Sequence, residues 1–294
     1  MQKTPDISIV VSNRNSSDLL NEAFESIVLS VGDIDFDVFV IDDVSSDGGF
    51  AHVDEKYKND PRFTFIQNEV NVGFAAVNVI LPQTQAKYIL TLDADARLKP
   101  GTLLTLFKFM ETHSEVGAAT GNLLNPDGSF QNYYRRLMTP LLCFYTTPMG
   151  RFLDKYFMGL RYYKWYHYID LDFTKLSELE QPPVACLILR REALGDSIFD
   201  PDYRLLFIDV DLCKRLYNKG YKIFLVPDAP ATHIKSVSFA KRSEVSRERE
   251  YYRALNIYFK KNYPLYAPLM WVMLKIDVYL RMLLIYTVGK APMR

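Results

Sequence analysis

Cysteine is scarce in this 294-residue chain: Cys143, Cys186 and Cys213 stand apart, with no Cys-x-x-Cys and no Cys/His pairing. That spacing excludes a zinc site and a disulfide scaffold and implies a reducing compartment. The 13 glycines never gather into a G-x-G-x-x-G turn or a G-x-x-x-x-G-K-[ST] loop, which removes the dinucleotide dehydrogenases and the P-loop nucleotidases. Neither sign of charge prevails, with 35 Lys and Arg against 35 Asp and Glu, so no nucleic-acid partner is expected and any attraction to polyanions is local. No apolar signal core precedes Ile7, and the expectation is a catalytic portion that stays in the cytosol. Internal repeats and low-complexity tracts are missing too. What remains is 49% hydrophobic residues, enough for a sizeable core and incompatible with disorder.

The first half alternates two periodicities. Ile7 to Val11, Phe36 to Ile41, Phe63 to Ile66 and Tyr88 to Leu92 are short apolar runs between polar or Gly/Pro segments, the pattern of buried strands. Leu20, Phe24, Ile27, Val28 and Val31 between the first two fall on one helical face. Strand and helix in alternation predict an α/β fold with a mostly parallel central sheet flanked by helices. Ligands of such sheets sit beyond the carboxyl ends of the strands, which points to Ser12-Asn13-Arg14-Asn15, to Asp42 through Gly48, and to Asp93-Ala94-Asp95.

Between Phe130 and Phe173 the alternation breaks into an aromatic-crowded segment that includes Tyr133, Tyr134, Tyr145, Tyr162, Trp165 and Tyr166. It reads either as a packing layer or as a platform of aromatic faces for a bound ligand. Regular pattern returns with a strand at Val184 to Leu189, a helix from Asp209 to Asn218 stopped by Gly220, and a strand at Lys222 to Val226.

In an extended backbone residues i and i+2 point to one side, so Asp93 and Asp95 converge. Paired carboxylates suit Mg²⁺ or Mn²⁺, whose shell is completed by substrate phosphates and water. The alternative is a polar turn capping the helix that starts near Gly101. Asp209 and Asp211 open a helix, where carboxylates also serve as caps.

Four blocks, Ile7 to Asn15, Val40 to Gly48, Asn71 to Asn78 and Leu92 to Asp95, resemble in order and spacing the family 2 glycosyltransferases of the GT-A fold, in the rhamnosyltransferase-like branch of bacterial polysaccharide and O-antigen synthesis. The resemblance covers about Ile7 to Ser238. It implies a GT-A nucleotide-diphospho-sugar transferase fold, with residues 1–238 as catalytic domain, 130–181 as an acceptor-side insertion and 239–294 as a C-terminal helical appendage. It implies that Ser12, Asn13 and Asp43 touch the nucleotide, Asp43 on the base, and that Asp42 supports their turn. Asn71, Gly73 and Asn78 would shape the ribose and base pocket. Arg190 and Arg191 follow the strand that flanks the sugar pocket, and either is a diphosphate contact, Arg191 being the one expected, or a solvated edge. By the same resemblance Asp93 lies near ribose or metal, Asp95 is the direct ligand of Mn²⁺ or Mg²⁺, and His233 completes its shell. Asp209 takes the position of the catalytic base, with Ile208 where relatives have Glu, and Asp211 is left to capping.

The function so implied is inverting transfer of a sugar from a UDP-, dTDP- or GDP-sugar to a hydroxyl of a glycan or lipid-linked acceptor, in which one carboxylate takes the hydroxyl's proton and no protein nucleophile is required. A non-catalytic binding module would lack the carboxylates at 95 and 209. A sugar nucleotidyltransferase would carry a Gly-rich loop where Ser12 to Asn15 stand.

Residues 235 to 261 hold eight basic side chains against Glu244, Glu248 and Glu250. Leu269 to Val288 follows, nearly all apolar but for Lys275, Asp277, Arg281 and Thr287. Each charge near a helix centre costs about 2.5 to 3.5 kcal/mol to insert, against about 0.3 to 0.6 returned per aliphatic residue, so this segment is not expected to span a bilayer. The expectation is peripheral attachment to an anionic membrane on its cytosolic face, with packing on the catalytic domain or a homodimer as the alternatives.

Overall fold

The structure, a computed structural model, describes residues 4–234 and 243–288. Its first half runs β1 (Ile7–Asn13), α1 (Leu20–Ser30), β2 (Phe36–Asp42), α2 (Glu55–Lys58), β3 (Phe63–Gln67), β4 (Tyr88–Asp93), β5 (Ala96–Leu98), α3 (Thr102–Thr112), β6 (Val116–Thr120) and β7 (Leu123–Leu124). The aromatic segment folds as α4 (Pro140–Thr146), α5 (Pro148–Phe157), α6 (Arg161–Tyr166) and β8 (Ser177–Leu179). The remainder is β9 (Cys186–Arg190), α7 (Arg191–Leu194), α8 (Ile208–Asn218), β10 (Lys222–Leu225), β11 (Ala231–His233), α9 (Glu244–Asn262) and α10 (Ala267–Val288).

The main sheet has eight strands in the order β3-β2-β1-β4-β9-β6-β10-β8. β1 to β4 are parallel, as continuous apolar runs buried on both faces require. β9 runs antiparallel to both neighbours, β4 and β6. α1 packs Leu20, Phe24 and Ile27 on the sheet with no exposure, while Val28, expected on the same face, turns 38% to solvent. The carboxyl ends of β1, β2 and β4 lie side by side, since Asn13 is in register with Asp42 and Ser12 with Asp93.

β5, β11 and β7 form a second, three-stranded sheet. In it His233 pairs antiparallel with Ala96, directly after the Asp93–Asp95 turn.

The expected boundary at 238 falls in residues 235–242, outside those described. α9 packs closely on the rest of the fold: its Tyr252, Ala254, Leu255, Tyr258 and Phe259 join one apolar core with β1, the insertion and α8. Lys261 pairs with Asp200 and Asp202, and Arg253 with Glu250, so part of the basic run is neutralised within the fold. α10 docks on the same core through Met270 and Leu274.

Candidate functional site

β4 delivers Asp93 at its last residue, and the turn into β5 carries Asp95 to the same side. β11 adds His233, so that one ligand atom from each of the three lies within 4.8 Å of the others. His233 Nε2 stands 3.5 Å from Asp95 Oδ1, and the Ile234 N–H donates to the Asp95 carbonyl at 3.0 Å. Gln131 fixes the imidazole from behind, its Oε1 3.1 Å from Nδ1 and its Nε2 donating to the His233 carbonyl at 2.5 Å. Burial, and then the charge of Asp95, push Asp93 up to about 6, opposed by His233 and by the Ser12 hydroxyl that donates to Asp93 at 3.3 Å. Asp95 is 3% exposed, and its Oδ2 has no hydrogen-bond partner among the described residues. An orphaned buried carboxylate oxygen beside a second carboxylate and an imidazole is a donor set that fits a divalent cation such as Mn²⁺ or Mg²⁺.

The loops after β1 and β2 are locked together. Asn13 Nδ2 donates to Asp42 Oδ1 at 2.7 Å and to Ser17 Oγ at 2.9 Å. Asp42, wholly buried, also receives the Ser45 N–H. Asp43 binds the neighbouring loop: its oxygens receive the N–H groups of Val72 and Gly73 and the amides of Asn68 and Asn71. Gly73 sits at φ +73°, where a side chain would also run into the Arg204 carbonyl, and this fixes glycine there. Asn15 and Val44 hold left-handed backbone at the mouth of the same loops, the kind of strain that gathers at ligand sites.

Asp209 stands in the first turn of α8, after Phe207 in left-handed backbone. Its Oδ2 accepts from Gln181 Nε2 at 2.8 Å and its Oδ1 from the Val210 N–H at 2.9 Å. Burial raises its carboxyl above the ordinary range against those hydrogen bonds and the nearby Arg135 charge. The aromatic insertion lies beside it: Tyr166, under the Arg135 guanidinium, is raised first by burial, then by Tyr251, and also by the Asp209 charge. Trp165 points elsewhere, into a surface cavity of about 620 Å³ whose lining also includes Leu141, Arg161 and Lys164 but neither Tyr166 nor Asp209. Asp211 pairs with Arg215 at 2.8 Å and stays structural.

The structure thus brings Asp93, Asp95 and His233 together, and sets Ser12, Asn13, Asp42, Asp43, Asn71 and Gly73 along the adjoining strand ends. Two expected contacts are corrected. Arg191 follows β9, whose antiparallel course pairs Arg190 with Tyr88, at the amino end of β4. It is therefore about 17 Å along the strand from Asp93, at roughly 3.3 Å per residue, and donates to the Leu81 carbonyl instead. Asn78 clamps the chain at Ile198 and Phe199, accepting both N–H groups and donating to the Phe199 carbonyl. Gln131 and Gln181 were missed, because a lone glutamine in an irregular segment carries no periodicity or spacing signal.

The model of glycosyl transferase family 2 matches residues 8–194. An uncharacterised glycosyltransferase of Haemophilus influenzae is 29% identical over 119 residues, 40% of this chain and 36% of that one. The poly-beta-1,6-N-acetyl-D-glucosamine synthase of Staphylococcus epidermidis is 30% identical over 122 residues, 41% of this chain and 29% of its own. The matched stretch is thus only about a third of these relatives' length. Among solved structures, a mannosyltransferase from Pyrobaculum calidifontis in complex with GDP-Man and Mn²⁺ aligns over 95% of this chain and 71% of its own, with TM-score 0.55 and 18% identity. At that identity the likeness shows the fold, an α/β GT-A architecture.

Proposed function

The chain belongs to glycosyl transferase family 2, and from that premise we propose that it transfers a sugar, with inversion, from a nucleoside-diphosphate sugar to a hydroxyl of a glycan or lipid-linked acceptor in cell-surface polysaccharide synthesis. The observation that carries the reading is the convergence of Asp93, Asp95 and His233 at the carboxyl end of β4, with a buried Asp95 oxygen left unpaired. These three residues would hold Mn²⁺ or Mg²⁺. When bound, that ion supplies positive charge for the departing diphosphate. Ser12 and the loops after β1 and β2 line the nucleotide side. Asp209 takes the proton of the acceptor hydroxyl as its oxygen attacks the anomeric carbon, and Tyr166 offers the acceptor an aromatic face. The staphylococcal relative's polysaccharide chemistry supports the acceptor class. Titrating UDP-, dTDP- and GDP-sugars calorimetrically with and without Mn²⁺ tests the donor side; no metal-dependent binding of any of them would overturn it.

We propose also that the protein sits peripherally on the cytosolic face of an anionic membrane. No helix among the described residues is long and apolar enough to cross one. What supports surface attachment is the polarity of α10: Asp277 and Arg281 are buried against the protein, while Leu269, Val272, Ile276 and Tyr279 face out. Arg281 donates to the Thr146 carbonyl at the end of α4, and the following α5 exposes Met149, Phe152 and Tyr156. Lys275 of α10, with Lys155 and Lys164 of the insertion, adds the cationic fringe that anionic headgroups attract.

A further inference from the structure

We propose that Gln181 is the positioning residue of the catalytic base: it fixes the Asp209 carboxylate in its proton-accepting form and orientation. The inference rests on the reading of Asp209 as base and adds a residue from the opposite side of the cleft. Gln181 is 6% exposed and belongs to a rigid strap. Its backbone exchanges two hydrogen bonds with Arg135, at 2.9 and 3.0 Å, and the preceding Glu180 accepts from the Leu137 N–H and from Arg136. Pro182 and Pro183 follow, each with a fixed φ. From this strap Nε2 donates to Asp209 Oδ2 at 2.8 Å.

Two details separate this contact from ordinary packing. A carboxylate accepts only, so the amide must turn its N–H inward, and Gln181 Oε1 is left buried with no partner among the described residues. That arrangement spends an unsatisfied acceptor to keep a donor on Asp209. The donor therefore favours the ionised carboxylate, which takes the acceptor's proton as the new C–O bond forms and the bond to the diphosphate breaks. Among the described residues, the charged or titratable groups that act on Asp209 or feel its charge include Arg135, which pairs with the strap, Tyr166 from α6 and Cys213 from α8 itself. Among these neighbours Arg135 favours the ionised form by its charge, and its guanidinium is already engaged by the Asn132 and Tyr134 carbonyls.

The test is the pH profile of kcat, with the donor dissociation constant measured in parallel by calorimetry. Gln181→Met keeps the volume and removes the donor; it should move the acidic limb of kcat upward by about one pH unit and lower kcat at neutral pH about tenfold, leaving donor affinity within twofold. Gln181→Glu keeps the shape and sets a second carboxyl against the first, so its limb should move further in the same direction; it carries the test if Gln181→Met does not fold. A wild-type limb and wild-type kcat in a folded Gln181 variant, beside an inactive Asp209→Asn, would overturn the proposal and leave Asp209 as base. Full turnover by Asp209→Asn would overturn both.

Discussion

At the scale of single residues, two carboxylates should fail in different ways. Asp95→Ala removes the most buried oxygen ligand of the cluster, so the gain in donor affinity that Mn²⁺ confers should fall at least about tenfold in calorimetry. Asp209→Asn should leave that affinity intact and lower kcat about 10² to 10⁴-fold, the range of a lost general base. It should also change stability with a defined sign. Burial raises the folded-state carboxyl of Asp209, so the native state binds that proton more readily than the unfolded chain does. Stability is then lost as pH rises through the interval between the ordinary carboxylate value and the raised one. Asp209→Asn should accordingly melt above wild type at pH 8, and the difference should vanish near pH 4. The same contrast separates two aromatic neighbours. Tyr166→Ala should raise the acceptor KM about three- to tenfold, the worth of one aromatic contact, whereas Trp165→Ala, facing its own cavity, should not.

At the scale of elements, the docking of α10 on α9 depends on a buried polar cluster. Tyr252 donates to Asp277, and the Arg281 guanidinium reaches Asp277 at 3.2 Å and the Thr146 carbonyl at 2.9 Å. Arg281 is 1% exposed and Asp277 6%, so removing one partner strands the other without solvent. Arg281→Leu or Asp277→Leu alone should cost about 3 to 5 kcal/mol in urea unfolding. The double variant should cost less than either, because no charge is left buried. An additive double variant would show that the two side chains act independently. This cluster also gives α10 its sense: with its charges turned inward, the helix leaves its apolar residues to the outside.

At the scale of the whole molecule, α10 and the insertion each expose apolar side chains, Ile276 and Tyr279 on the one and Met149, Phe152 and Tyr156 on the other. Full-length protein should float with vesicles of phosphatidylcholine and phosphatidylglycerol at low salt and less with phosphatidylcholine alone. A variant carrying Ile276→Glu and Tyr279→Glu, both on exposed positions, should stay at the bottom of the gradient with its melting temperature unchanged. If wild type does not float and sediments as a dimer that the same substitutions dissociate, the face is an interface between two copies instead.

The sequence determined what depends on local pattern. Apolar runs and helical spacing specified β1, α1, β2, β3 and β4, and their parallel packing set the strand ends where chemistry gathers. Asp93 and Asp95 two residues apart at such an end were legible as a pair, and so was Asp209 at the start of a helix. Tertiary structure decided what depends on partners distant in the chain. His233 reaches Asp95 because β11 pairs with β5, setting His233 against Ala96 across a stretch of chain that no local period encodes. Gln131 and Gln181 acquire their roles only when irregular segments close over the cleft. Arg191 is carried away from it by the direction of β9, since an apolar run reads the same whether its strand lies parallel or antiparallel. The charges of α10 follow the same logic: their spacing is written in the sequence, but which side of a helix faces inward is fixed by what the neighbouring surface can pair.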